Sequence, residues 1–204
     1  MTGLRIRQKT DRINSILKAS ADLFRAHGYD AVKMEAIAER ANLSIGTIYN
    51  YYQNKGDLLL AIVALEVHSV LQDGAELVEN PPLAVADAMD TLIGIYIENA
   101  LDYLNKEMWR LAMSISIQQP LSPLGIKYVE LDNALSAQTC ALVQKLRAMG
   151  RVHAHIDTVA VGELIFNNTN NMFINYVKNE PMEILELRNM IRRQCKLVID
   201  AISV

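Results

Sequence analysis

The chain has 204 residues, about half of them apolar, so it can bury a core as one large or two small domains, and its composition excludes intrinsic disorder. A formal charge of −3 argues against a nucleic-acid partner only if it is evenly spread, and it is not: residues 1–56 carry nine Lys or Arg against five Asp or Glu, the remainder eleven against eighteen. A basic segment on an acidic body suits a local contact with DNA and limits non-specific sticking.

Arg5, Arg7 and Lys9 read as a short basic arm that either follows a groove or frays. Thr10 or Asp11 then caps a helix whose apolar positions Ile13, Ile16, Leu17, Ala21 and Phe24 repeat at helical spacing as far as Gly28. Met34, Ile37, Ala38 and Ala41 recur at i, i+3, i+4 and i+7, the apolar face of a short second helix. It stops at Asn42, a residue that tolerates the left-handed conformation of a helix exit. Ser44 is a good N-cap for a third helix, with Leu43 and Ile48 at the two staple positions around it. Two brief helices joined this tightly match a helix-turn-helix, in which the second helix offers its first residues to base edges. Those offered are Ser44, Ile45, Gly46, Thr47, Tyr49, Asn50 and Tyr51, none charged, so the helix start can approach a duplex closely. Periodicity alone leaves open a helical hairpin that merely packs.

Asn54 opens a fourth helix, with Asp57 answering the cap. Lys55 sits at the helix start, where its charge opposes the macrodipole, and phosphate contact is the purpose that suggests itself. The helix runs through Leu58, Leu59, Ile62 and Leu65 to about Glu79, where Asn80-Pro81-Pro82 ends it. Helical patterns follow over 83–104, 107–117, 122–150, 157–178 and 181–202, and no stretch carries a strand signal. The fold class is therefore all-α, with the short connections usual in bundles.

The string from Ile37-Ala38 through Asn42-Leu43-Ser44-Ile45-Gly46-Thr47-Ile48-Tyr49-Asn50-Tyr51-Tyr52, with Asn54-Lys55 and Leu58, resembles the DNA-binding domain of the TetR family of bacterial transcriptional regulators. Phe24, His27-Gly28 and Tyr29 fall where that family has its first-helix phenylalanine and following glycine. The resemblance covers about the first quarter of the chain. Two positions depart from it: Asn42 stands where glycine is usual, and Val32-Lys33 where a Thr or Ser cap is usual, although Lys33 can still meet a phosphate as a point charge. The resemblance implies a three-helix DNA-binding domain over residues 1–54, with Lys33, Ser44–Thr47, Tyr49–Tyr51 and Lys55 as its contacts. A helical ligand-binding and dimerisation domain is implied over 55–204, the fourth helix carrying ligand information to the DNA. It further implies a homodimer on a double-stranded operator, a repressor released by an unknown small-molecule effector, and no cofactor.

Residues Ile184, Leu187, Ile191, Cys195, Val198 and Ile202 share one narrow face of the last pattern. Val159, Gly162, Phe166, Thr169, Phe173 and Val177 share a face of the one before. Such seams are either ordinary core or a homodimer interface, and the resemblance favours an interface built on Phe166, Phe173, Ile184, Leu187, Ile191, Cys195 and Val198. Large or adaptable side chains such as Trp109, Met113, Tyr128 and Phe166, with Asn170 from the cluster Asn167, Asn168, Asn170 and Asn171, are candidates to line an effector pocket.

Cys140 and Cys195 lack CxxC spacing and read as core thiols of a reducing cytoplasm. No leader pattern and no apolar run of about 18 residues is apparent, so neither secretion nor membrane spanning is expected. His153 and His155, with only Asp157 nearby, read as a surface loop rather than a metal site. No nucleophile motif or phosphate-cradling loop is present; an architectural DNA-binding protein and, remotely, a helical enzyme are the alternatives to a regulator.

Overall fold

The computed structural model describes residues 2–204, with side chains from Ile6 onward. Among the described residues the chain forms nine α-helices: α1 (Thr2–His27), α2 (Met34–Arg40), α3 (Ile45–Tyr49), α4 (Lys55–Glu79), α5 (Val85–Glu98), α6 (Lys106–Gln118), α7 (Pro123–Ala148), α8 (Thr158–Lys178) and α9 (Ile184–Ile202). The only strand-like pairing among them is a single bridge, Val152 to Ser203. Arg7 and Lys9 lie inside α1, which begins well before Thr10, so they are not a separate arm; the side chain of Arg5 lies outside the described residues.

The chain packs as two compact units, one of Met1–Glu66 with Asp102–Tyr128, the other of Val67–Leu101 with Val129–Val204. This differs from a boundary at residue 54: Leu58, Leu59 and Ile62 of α4 are buried, and the segment to Glu66 packs with α1–α3 and α6. In the first unit Ile16, Leu17 and Phe24 form the inner face of α1, and Ser20 donates its hydroxyl to Ile16 O at 2.8 Å. Gly28, at φ +80°, ends the helix, a conformation that suits glycine because it has no Cβ.

Alone among the described helices, α4 has the length and mean hydropathy of a bilayer-crossing segment, but Glu66, His68 and Asp73 interrupt it, so it holds no apolar run of about 18 residues, as expected. Its buried positions occupy about half of the helix circumference, and His68, Gln72 and Asp73 lie exposed. Leu58, Leu59, Ile62 and Val63 are buried in the first unit, and Val67 and Val70 in the second.

The periodicity between 83 and 104 does not make one helix. α5 ends at Glu98, residues 99–105 are irregular, and the Asn105 side chain caps α6 by accepting from Met108 N at 2.9 Å. In the second unit α9 packs on α8 and α5. Its inner face is Leu187, Ile191, Cys195, Ile199 and Ile202, all buried within one chain. The dimer seam expected from the sequence draws on this same face. Leu187, Ile191 and Cys195, with Phe166 and Phe173 on α8, are intrachain core, and Ile184 and Val198 lie at its edge. Arg188 fastens α9 to α5 through Asp90, at 2.9 Å, and Glu98; Arg192 adds a second bond to Asp90 at 2.7 Å. The bond from Arg192 and then those from Arg188 hold the Asp90 carboxyl below its usual range against the opposing effect of burial. Gly162 of α8 crosses α7 so closely that a Cβ there would lie 2.5 Å from Cys140 Cα.

Candidate functional site

The turn between α2 and α3 is built as its residues require. Asn42 takes φ 55°, and Ser44 caps α3 by accepting from Thr47 N at 3.2 Å. Ile48 is buried beneath it. Lys33, the residue before α2, makes no side-chain cap, as its type predicts. With the inner side of α3 closed by Ile48, the outer side carries Gly46, Tyr49 and Asn50, with Ile45 and Thr47 half-buried at its flanks. Ser44 and Thr47 share a hydroxyl hydrogen bond of 2.8 Å, so part of their donor capacity is used inside the turn. Ser44 and Lys33 are exposed and Tyr51 is half-buried.

Lys55 has a partner the sequence did not reveal. Its ammonium donates to Tyr29 O at 2.7 Å and Asp30 O at 3.1 Å, and lies 4.6 Å from the centre of the Tyr29 ring, which packs on Phe24. These bonds account for a lysine at a helix start without a phosphate: it joins the turn after α1 to the beginning of α4. Around it Asp57 N donates to Asn54 Oδ1 at 3.0 Å, and Gln53 N donates to Asp57 Oδ2 at 2.8 Å, so the cap is reciprocal but closes one residue earlier than a capping box.

Deeper in the same unit is a residue that sequence reasoning missed. Glu66, 2% exposed, accepts from Asp102 N at 3.1 Å and Tyr103 N at 3.0 Å, while Arg25 of α1 donates to Asp102 O at 2.7 Å. Burial pushes the Glu66 carboxyl up to about 7, opposed by those two N–H groups and by Arg25, with Asp102 adding to the rise. The only sequence signal was an acid among Leu65 and Val67 in an apolar helix.

The expected effector residues divide between the units. Trp109, Met113 and Tyr128 belong to the first, with Trp109 6% exposed; Phe166 and Asn170 belong to the second. Trp109 therefore packs in the unit that contains α3, although it is far from α3 in sequence. In the second unit Asn170 donates to Asp132 Oδ2 at 3.3 Å, and burial raises the Asp132 carboxyl to about 6. Tyr96 Oη lies 2.9 Å from Gln138 Oε1 and 3.2 Å from Leu135 O, and Gln138 Nε2 donates to Leu71 O at 2.8 Å. Asp132 and Gln138 were not identified from the sequence, because a lone polar residue in a helical pattern gives no sign of facing inward. His153 and His155 stack at 5.5 Å in the loop before α8, where His153 N donates to Ile202 O. Among the described residues no three His, Cys, Asp or Glu side chains converge as metal ligands.

Two short helices locked by a left-handed asparagine and a serine cap, on a bracing first helix, define a helix-turn-helix DNA-binding domain. Residues 16–62, about a quarter of the chain, match the family described as bacterial regulatory proteins, tetR family. A relative, the HTH-type transcriptional repressor KstR of Rhodococcus jostii, is 39% identical over 72 residues, 35% of this chain and 32% of the repressor's own length, so the match spans about a third of it. Over nearly the whole chain the fold is shared with solved TetR-type structures. A TetR transcription regulator from Haloarcula marismortui has TM-score 0.77 at 16% identity, covering 96% of this chain and 100% of that one. The regulator FadR from Bacillus subtilis, solved in complex with stearoyl-CoA, has TM-score 0.67 at 17% identity, covering 89% and 96%.

Proposed function

We propose that the chain is a cytoplasmic, ligand-responsive transcriptional repressor. It binds a palindromic operator as a homodimer and leaves it when a small molecule binds the helical body. The observation that carries this reading is the outer face of α3, uncharged and headed by a glycine on a rigid turn, which suits base reading better than surface solvation. A two-fold reader also fits paired half-sites about 34 Å apart. With Leu187, Ile191 and Cys195 committed to the core, the dimer contact falls to the outer sides of α8 and α9, where Leu164 is 54% and Leu197 77% exposed. In the second unit the polar groups that suit an effector are Asp132, Asn170, Tyr96 and Gln138. Stearoyl-CoA, held by one fold neighbour, is a rational first effector to test.

Footprinting of the chain's own upstream DNA, with and without a metabolite library that includes stearoyl-CoA, tests the proposal. Sequence-specific protection lost on adding ligand supports it. Protection that no ligand alters indicates an architectural protein, and absence of protection overturns DNA binding.

A further inference from the structure

Which bases α3 reads follows from three features of its outer face, given the DNA-binding reading above. At 100° per residue, Gly46 and Asn50, two positions either side of the buried Ile48, each lie about 160° from it. Asn50 still has helical backbone angles, φ −69° and ψ −17°, so this geometry holds through the C-cap. The side chain at the crown of the helix is therefore an exposed carboxamide, and directly beneath it is a residue with none.

Nothing inside the chain requires glycine at 46. Its backbone is not in the left-handed region, and a Cβ would meet only Ser44 Oγ, at 4.0 Å. Glycine within a helix is less stable than alanine, so its presence on an open face marks a place where another body comes close to the backbone. The charge pattern is the third feature. No Lys, Arg, Asp or Glu occurs from Leu43 to Asn54, Lys55 is held by two carbonyls, and Arg40 pairs with Asp22 at 3.4 Å. The forked cation that usually reads guanine is missing from this face, whereas a carboxamide suits adenine, donating to N7 and accepting from N6–H. Ile45 and the Thr47 methyl group offer apolar contact to a thymine methyl.

We propose that Gly46 and Asn50 are the specificity-determining pair of α3: Gly46 lets the helix sit deep in the major groove, and Asn50 reads an adenine there. The step from Ile45 to Asn50 rises about 7.5 Å, about two base-pair steps of 3.4 Å. The part of the half-site under α3 is thus a block of two or three pairs, predominantly A·T.

The test is selection from a pool of random duplexes by the full-length protein, followed by binding of the selected duplex with 7-deazaadenine placed at each adenine in turn. The expected result is an A·T block in each half-site, in which one 7-deaza substitution weakens wild type by about 5- to 150-fold and leaves Asn50→Ala unaffected. Gly46→Ala is expected to keep or raise the melting temperature while losing at least about tenfold in affinity for the same duplex. Enrichment of G·C pairs under α3, indifference of wild type to every 7-deaza substitution, or full affinity of Gly46→Ala overturns the assignment while leaving DNA binding intact. Failure to enrich any duplex overturns DNA binding as well.

Discussion

Glu66 and Lys55 each perform a task hidden from a linear reading. Glu66 is an acid enclosed with two backbone donors, and its folded value near 7 stands above the ordinary 4.5 because burial outweighs those bonds. A carboxyl with a raised folded value favours the folded state most fully below about pH 4.5 and loses that contribution as pH rises through about 7. Glu66→Gln should therefore flatten the fall in stability between these limits, a difference on the order of 3 kcal/mol. Urea denaturation at about pH 4.5 and pH 7.5 measures it, and parallel losses in both proteins would show that Glu66 does not titrate in this window. For Lys55, removal of the bonds to Tyr29 and Asp30 should lower stability by about 1 to 3 kcal/mol. Operator affinity should fall too, as the turn after α1 loosens from α4. If Lys55→Ala leaves the melting temperature unchanged but reduces the salt dependence of binding by about one phosphate contact, the lysine serves DNA rather than the fold.

At the scale of elements, what the sequence made legible was local. Asn42, Ser44 and Ile48 specify the turn between α2 and α3 through neighbours within six residues, so the sequence contains all the partners. The interruption after Glu98 was illegible for the opposite reason. Ala100 and Leu104 prolong the apolar pattern, while the residue that satisfies the backbone of Asp102 and Tyr103 is some 36 positions earlier. The stripe on α9 shows a third case. Periodicity identifies the buried side of a helix but not the molecule that buries it, and here α5 and α8 of the same chain do so. Ile191→Glu should accordingly unfold the protein, because an unpaired charge is forced into the core. Leu197→Glu combined with Leu164→Glu should retain the fold and yield monomers. Circular dichroism with light scattering separates the two, and a folded monomer from Ile191→Glu would return the stripe to the dimer interface.

For the whole molecule the question is control. An effector can displace the protein from DNA only by binding the DNA-competent and DNA-incompetent states with different affinity. The expected coupling is negative, about 5- to 150-fold, and the same factor must appear when operator DNA weakens effector binding. Asp132→Asn is expected to change the effector response while operator affinity stays within about threefold, since Asp132 and Asn170 lie in the second unit. Titrations of operator binding with and without effector test this; an unchanged response would remove the pair from the effector site. Trp109→Ala does not serve the same purpose. A buried tryptophan packed in the unit of α3 should cost about 3 to 5 kcal/mol when truncated, and DNA binding would fall with stability.

The crossing of α8 over α7 at Gly162 also constrains which sequences this fold accepts. Two of the three atoms nearest a Cβ at 162, Cys140 Cα and N, are main chain, at 2.5 and 2.7 Å. No exchange at 140 can make room. In a saturation library selected for folding, position 162 should therefore admit glycine alone, whereas 140 should accept alanine or serine, and no second substitution at 140 should rescue a filled 162. A glycine at this place in another chain would then serve as a fingerprint of the same close crossing, recognisable from its residues alone.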